Sequence, residues 1–223
     1  MRQVYLETFG CQMNLADTDR MELLLFHSGY ARTPHKEEAD LIMVNTCSIR
    51  EKAEHKVYSL FGTMKPLKDG NPEVIFGLTG CMAQQEGEKL LKTIPYLDFI
   101  LGPDTIENIS EALERVRSQR KPLVWTGFDS ARNYSIPPRE EVLNSEPSEF
   151  VNIIKGCNKL CSFCVVPFTR GREKSREAGE ILDEVRQLTL NGAKEIVLLG
   201  QNVNAYGKSG LNTPMPFHDL LYR

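Results

Sequence analysis

Apolar runs bounded by turn residues recur along the first half of the chain, and between them lie stretches with helical spacing. Gln3–Phe9 carries Val4, Leu6 and Phe9 and predicts a strand. A helical pattern follows from about Asn14 to Ser28, with Met21, Leu24 and Leu25 on one face and Gly29 closing it. Asp40–Asn45 is apolar through its middle, as a parallel strand covered on both faces would be. Ser48-Ile-Arg-Glu51 has the form of a capping box and predicts a helix to about Lys65. Glu73–Leu78 predicts a third strand, and Gln84–Lys92 a short helix after it. Asp98–Leu101 predicts a fourth strand, and Asp104-Thr-Ile-Glu107 the cap of a helix to about Arg117. Four successive β-α units predict an α/β fold with a twisted parallel sheet flanked by helices.

From Pro122 to Ser148 the pattern breaks. Ile136-Pro-Pro-Arg-Glu-Glu141 and Asn144-Ser-Glu-Pro147 are polar and proline-bearing, as in an interdomain linker. The expected organisation is a domain over 1–121, a linker over 122–148 and a second domain over 149–223. That domain opens with a strand at Glu149–Ile154. A helix with Ile181, Leu182, Val185 and Leu188 on one face follows, closed by Asn191-Gly192, then a buried parallel strand at Glu195–Gly200. This is the opening of a (β/α) barrel. Two strands and the start of a helix at Phe217–Arg223 do not complete one, so the expectation is a longer protein whose C-terminal portion is missing here.

At 223 residues, 41% hydrophobic and 26% charged, the composition is that of an ordinary soluble protein. No apolar run is long enough to span a bilayer, and an acidic residue stands at position 7 where a signal peptide would be greasy. The expected location is cytoplasmic, with no membrane partner. Six cysteines in such a chain point to metal or catalysis rather than disulfides. A net charge of −3 excludes a chain that binds nucleic acid by bulk charge.

Three of the cysteines form one loop, Cys157-Asn-Lys-Leu-Cys161-Ser-Phe-Cys164. A zinc site usually closes with four ligands, and this run contains no histidine or acid to supply a fourth. Three thiolates can hold three irons of a four-iron cluster and leave the last iron free for a small molecule. The bland readings are three buried thiols, or a zinc knuckle with a remote fourth ligand. Cys11, Cys47 and Cys81 each fall just past a predicted strand and before a predicted helix, about one βαβ unit apart. In a parallel sheet all strand C-termini share an edge, so three distant thiolates can meet there, each where helix N-termini favour negative charge. This predicts a second three-cysteine site. The alternative is three unrelated small residues at strand ends.

Lys155, Lys159, Arg170, Arg172, Lys174 and Arg176 surround the first loop. They read either as a patch facing an anionic substrate, with Arg170, Arg172 and Arg176 as candidate contacts, or as a solvated loop; charge alone does not decide. After the last strand, Gly200 would let a ligand approach the backbone, and Gln201, Asn202 and Asn204 offer amide groups. A polar turn satisfying its own backbone fits them equally.

The C-x3-C-x2-C spacing, with Phe163 before the third cysteine, resembles the radical S-adenosylmethionine (SAM) superfamily. Thr8-Phe-Gly-Cys-Gln-Met-Asn14, Asn45-Thr-Cys-Ser-Ile-Arg-Glu-Lys-Ala53, Gly80-Cys-Met-Ala-Gln-Gln-Glu-Gly87 and Gly156–Arg176 together resemble the radical-SAM methylthiotransferases over essentially the whole chain. The start at Gly10-Cys-Gln-Met-Asn14, Ser48–Ala53 and Leu199–Asn204 are similar to the branch acting on isopentenyladenosine in tRNA. The resemblance implies an N-terminal methylthiotransferase domain followed by the first part of a radical-SAM partial barrel. It implies two [4Fe-4S] clusters, an auxiliary one on Cys11, Cys47 and Cys81 and a SAM-binding one on Cys157, Cys161 and Cys164. It also implies two SAM molecules per turnover, one methylating sulfur and one yielding the radical, with methylthiolation at C2 of the adenosine next to the anticodon. Phe163, Gly200, Gln201, Asn202 and Asn204 are then candidates to line SAM. A tRNA substrate, an external electron donor and a sulfur source are the implied partners. Alternatives are the same chemistry on threonylcarbamoyladenosine tRNA or a ribosomal-protein aspartate, a two-cluster electron carrier, or a zinc-structured RNA-binding module.

Overall fold

The computed structural model describes residues 1–48, 51–129, 134, 136, 145–209 and 215–223, without the side chains of 51–53. The chain forms two compact units, Met1–Phe128 and Asp129–Arg223.

The first unit is a six-stranded, wholly parallel sheet. Its elements are β1 (Arg2–Phe9), α1 (Gln12–His27), β2 (Tyr30–Arg32), β3 (Leu41–Thr46), α2 (Glu51–Gly70), β4 (Ile75–Gly80), α3 (Cys81–Glu86), α4 (Leu90–Thr93), β5 (Phe99–Leu101), α5 (Ile109–Gln119) and β6 (Leu123–Trp125). The order across the sheet is β2-β1-β3-β4-β5-β6. All of β3 and β4 is buried, which is why both read as unbroken apolar runs. On one face Leu6, Met43, Ile75 and Phe99 pack with Met21 and Leu25 of α1 and Ile109 and Leu113 of α5. On the other, Ile42, Val44, Phe76 and Ile100 pack with Phe61 and Met64 of α2, Met82 of α3 and Leu90 of α4.

Two expectations are corrected here, and one strand is added. Leu123–Trp125, assigned to the linker by its polar surroundings, is the edge strand β6, paired with β5 in register Phe99↔Leu123 to Leu101↔Trp125. The Trp125 ring is covered by the Arg115 guanidinium at 5.2 Å, so the ordered unit runs past residue 121. The cap expected at Asp104–Glu107 does not form. A 3-10 turn at Ile106–Asn108 precedes α5 with no side-chain cap bond, and the Glu107 carboxylate pairs with the buried Arg20. Tyr30–Arg32 adds the short edge strand β2. Residues 49–50 and the Glu51 side chain of the expected capping box, and the proline-bearing 137–144, lie outside what the structure describes.

The second unit contains β7 (Ser148–Asn152), β8 (Ile154–Lys155), α6 (Val166–Thr169), β9 (Lys174–Ser175), α7 (Ala178–Leu190), β10 (Glu195–Leu199) and α8 (Phe217–Leu221). β7 and β10 pair in parallel, Glu195↔Ser148 to Leu199↔Asn152. Val151, Ile153, Ile181, Leu188 and Tyr206 form its core. The strand expected over Glu149–Ile154 is two strands: beyond Asn152 the chain leaves β10, and β8 pairs antiparallel with β9. That short ladder closes the base of the loop carrying Cys157, Cys161 and Cys164. Gly192, with φ +110°, ends α7 in the backbone region that glycine favours.

Candidate metal centres

The sheet order of the first unit explains how Cys11, Cys47 and Cys81 are placed. The chain runs from β1 to β2 on one side, then returns past β1 to β3, so the topology switches between β1 and β3, where open α/β sheets form ligand crevices at the strand C-termini. Phe9 is in register with Thr46, and Thr46 with Gly80. Cys11, Cys47 and Cys81 follow those three residues by two, one and one positions. Neighbouring strands are about 4.8 Å apart, so three adjacent strands deliver three cysteines to one edge. The Cys47 amide donates to Phe9 O at 2.9 Å. Cys11 is exposed at the N-cap of α1, while Cys47 and Cys81 are buried. None of the six cysteines forms a disulfide.

Beneath these three lies a polar row that the sequence reading did not single out. Thr8, Asn45 and Thr79 are in register across β1, β3 and β4. Asn45 Nδ2 donates to Asn14 O at 2.8 Å and contacts Thr18 Oγ1 at 3.0 Å; Asn14 Nδ2 donates to Asn45 Oδ1 at 3.0 Å. Thr79 Oγ1 and Ser48 Oγ, two positions before Cys81 and one after Cys47, are buried without a hydrogen-bond partner among the described residues. A cluster's sulfurs and thiolates accept hydrogen bonds, so hydroxyls of this kind fit a cluster at this edge. Among the described residues, no three His, Cys, Asp or Glu side chains are close enough to hold a single metal ion. A four-iron cluster calls for a wider triangle, because each thiolate bonds a different iron.

In the second unit the loop from Cys157 to Glu173 is folded on itself. The Cys157 amide donates to Gly171 O at 3.1 Å, and Cys164 N to Cys161 O at 3.0 Å. Glu173 N donates to Asn158 Oδ1 at 3.1 Å. Gly156, at φ +75°, passes so close to the segment leading into β9 that a Cβ would sit 2.1 Å from Arg172 O. Cys157 is buried, Cys164 half-buried and Cys161 exposed. Three soft thiolates in one loop, the middle one open to solvent, fit a four-iron cluster with one accessible iron.

The other candidate residues divide. Gln201 Oε1 accepts from Gly156 N at 2.5 Å, and Asn202 Nδ2 donates to Glu173 Oε1 at 3.1 Å. Both amides therefore brace the ends of the cysteine loop. Asn204 is exposed. Gly200 has no open backbone: a Cβ there would lie 2.3 Å from Ile154 Cγ2, so the glycine serves strand packing. Phe163 is 92% exposed, beside exposed Leu160 and Phe168. Arg172 is exposed, but Arg170 and Arg176 are buried. Arg176 bonds Glu184 Oε2 at 2.6 Å and Asn152 O at 2.9 Å. The patch read from charge alone thus turns two of its three candidate arginines inward.

Comparison with known proteins finds two separate matches along the chain. Residues 3–102 match the family described as "Uncharacterized protein family UPF0004", and residues 151–214 match the radical SAM superfamily. One match lies in each of the two compact units. Over 207 residues it is 47% identical to a protein of Myxococcus xanthus named tRNA-2-methylthio-N(6)-dimethylallyladenosine synthase, covering 92% of this chain and 45% of that one. A Yersinia enterocolitica protein of the same name is 47% identical over 206 residues, covering 92% and 43%. The chain thus spans less than half the length of these relatives. Among solved structures, the radical SAM methyltransferase TsrM of Kitasatospora setae is similar in fold, with a TM-score of 0.59 at 15% identity over 92% of this chain and 48% of that one. Among the described residues no helix is long and apolar enough to cross a membrane.

Proposed function

We propose that the protein replaces the C2 hydrogen of an isopentenyl-modified adenosine, next to the anticodon of a tRNA, with a methylthio group. The observation that carries the reading is the doubled three-thiol pattern: one set assembled by strand topology and one held in a single loop, each a thiolate short of a closed cluster. The names of the relatives support the acceptor. Cys11, Cys47 and Cys81 would hold an auxiliary [4Fe-4S] cluster, and Cys157, Cys161 and Cys164 a second one that binds SAM. When bound, these groups and two SAM molecules per turnover supply the sulfur transfer and the radical chemistry.

The chain's own residues place and shield those groups. Gln201 and Asn202 hold the cysteine loop against the end of β10. Phe163 offers an aromatic face beside Cys164. Arg172 offers positive charge to a phosphate backbone, a sequence-independent attraction that weakens with salt. Asn204, exposed on the same segment, is a candidate contact for SAM or substrate. An electron donor and a sulfur source are required partners, and the cytoplasm is the compartment. Nucleoside analysis of tRNA from a strain lacking the gene tests the reading. Loss of the 2-methylthio group from isopentenyladenosine alone is expected; its loss from threonylcarbamoyladenosine, or an unchanged nucleoside profile, would overturn the assigned acceptor.

A further inference from the structure

The three cysteine turns of the first unit close on one buried amide pair. Asn14 is 0% exposed and Asn45 2%. Asn14 Oδ1 accepts from the Cys11 amide, and from the Cys11 thiol, at 3.3 Å each. Its Nδ2 donates to Asn45 Oδ1 at 3.0 Å, and Asn45 returns a bond to Asn14 O at 2.8 Å. The backbone comes in tightly from both sides. A Cβ on Gly10 would lie 2.4 Å from Asn14 Oδ1, and one on Gly80 would lie 2.5 Å from Asn45 Oδ1 and 2.4 Å from Thr46 O. The pair therefore touches the turn before Cys11, the strand end before Cys47 and the strand end before Cys81. β3 is apolar from Leu41 to Val44. An amide at Asn45 takes a position where an apolar side chain would serve packing alone, and buried amides are tolerated only when fully bonded.

We propose that Asn14 and Asn45 are positioning residues that set the spacing of Cys11, Cys47 and Cys81 for a cluster; this rests on the reading that those thiolates hold one. Outer partners that orient metal ligands characteristically account for roughly 10- to 100-fold in metal retention.

The test uses the intact protein with Cys157, Cys161 and Cys164 all changed to alanine, so that any cluster signal comes from the first unit. After anaerobic reconstitution, iron and sulfide per chain, the rate of iron loss to a ferrous chelator and the reduced EPR spectrum are measured. Asn14→Ala and Asn45→Ala are expected to lose iron roughly 10- to 100-fold faster than this parent and to change the spectrum. Gly10→Ala keeps both amides but pushes on Asn14, and should act in the same direction. Adding it to Asn14→Ala should cost little more, since both act through one group. If Asn14→Ala or Asn45→Ala fails to fold, Gly10→Ala decides. Variants that match the parent in iron, spectrum and chelator rate overturn the positioning role and leave the cluster reading intact. A parent that takes up no cluster overturns both.

Discussion

The Arg176–Glu184 pair gives the sharpest separation between a structural and a substrate-binding arginine. Arg176 is 1% exposed and Glu184 is 9% exposed, with Nη1 and Oε2 2.6 Å apart. The same guanidinium nitrogen donates to Asn152 O at 2.9 Å, and Arg176 O accepts from the Tyr206 hydroxyl at 2.9 Å. The residue thus joins the end of β7 to α7 and to the segment after β10. Removing one partner of a buried pair leaves the other charge desolvated and costs about 3–5 kcal/mol, a large share of the 5–15 kcal/mol typical of a domain. Arg176→Ala should therefore speed hydrogen exchange of the β7 and β10 amides by more than about 100-fold. Exchange is the right assay because the single tryptophan, Trp125, lies in the first unit and reports nothing on the second. Arg176→Met with Glu184→Leu removes both charges and should recover most of the protection. Arg172→Ala, on the surface, should stay within about 0.5 kcal/mol of wild type and act only on RNA affinity. Unchanged exchange in Arg176→Ala together with weakened RNA binding would refute the structural assignment.

Three further expectations follow from single residues. Gly156→Ala forces a Cβ to within 2.1 Å of Arg172 O at a φ of +75°, so it should destabilise the second unit by at least about 1–3 kcal/mol and lower iron content, read by exchange and iron assay. Thr79→Val removes a buried hydroxyl that lacks a partner among the described residues. The iron-free protein should gain about 1 kcal/mol in urea unfolding, while the reconstituted first-unit cluster is lost faster to chelator. Burial above all, with Glu177 adding and Arg176 opposing, pushes the Tyr206 phenol up to about 12. The folded state therefore keeps its proton where the unfolded chain loses it. The contribution is complete below pH 10 and is lost as pH rises from 10 to 12, worth roughly 2–3 kcal/mol, and Tyr206→Phe should flatten that part of the alkaline unfolding curve.

The central strands were legible because a parallel sheet covered on both faces demands unbroken apolar runs, as at Leu41–Val44 and Ile75–Leu78. The same logic placed Cys11, Cys47 and Cys81 at one edge before any coordinates. The edge strands Tyr30–Arg32 and Leu123–Trp125 escaped notice because they are short and only partly buried, whereas the equally short Phe99–Leu101 is wholly buried and reads as an apolar run. Glu107 read as a capping residue because Arg20, 87 positions away, is invisible to local pattern. Charge along the chain likewise gave no sign that Arg170 and Arg176 turn inward while Arg172 faces solvent. The Asn14–Asn45 pair was hidden for a similar reason: its two members lie 31 residues apart and meet only where α1 packs on β3.

The account turns on two separate three-thiolate sites. Its most direct test is iron and acid-labile sulfide per chain, determined anaerobically on wild type, on a Cys11/Cys47/Cys81 triple alanine variant and on a Cys157/Cys161/Cys164 triple alanine variant. The account predicts about eight irons in wild type and about four in each variant. Full iron in either variant, or loss of all iron from one of them, would contradict it.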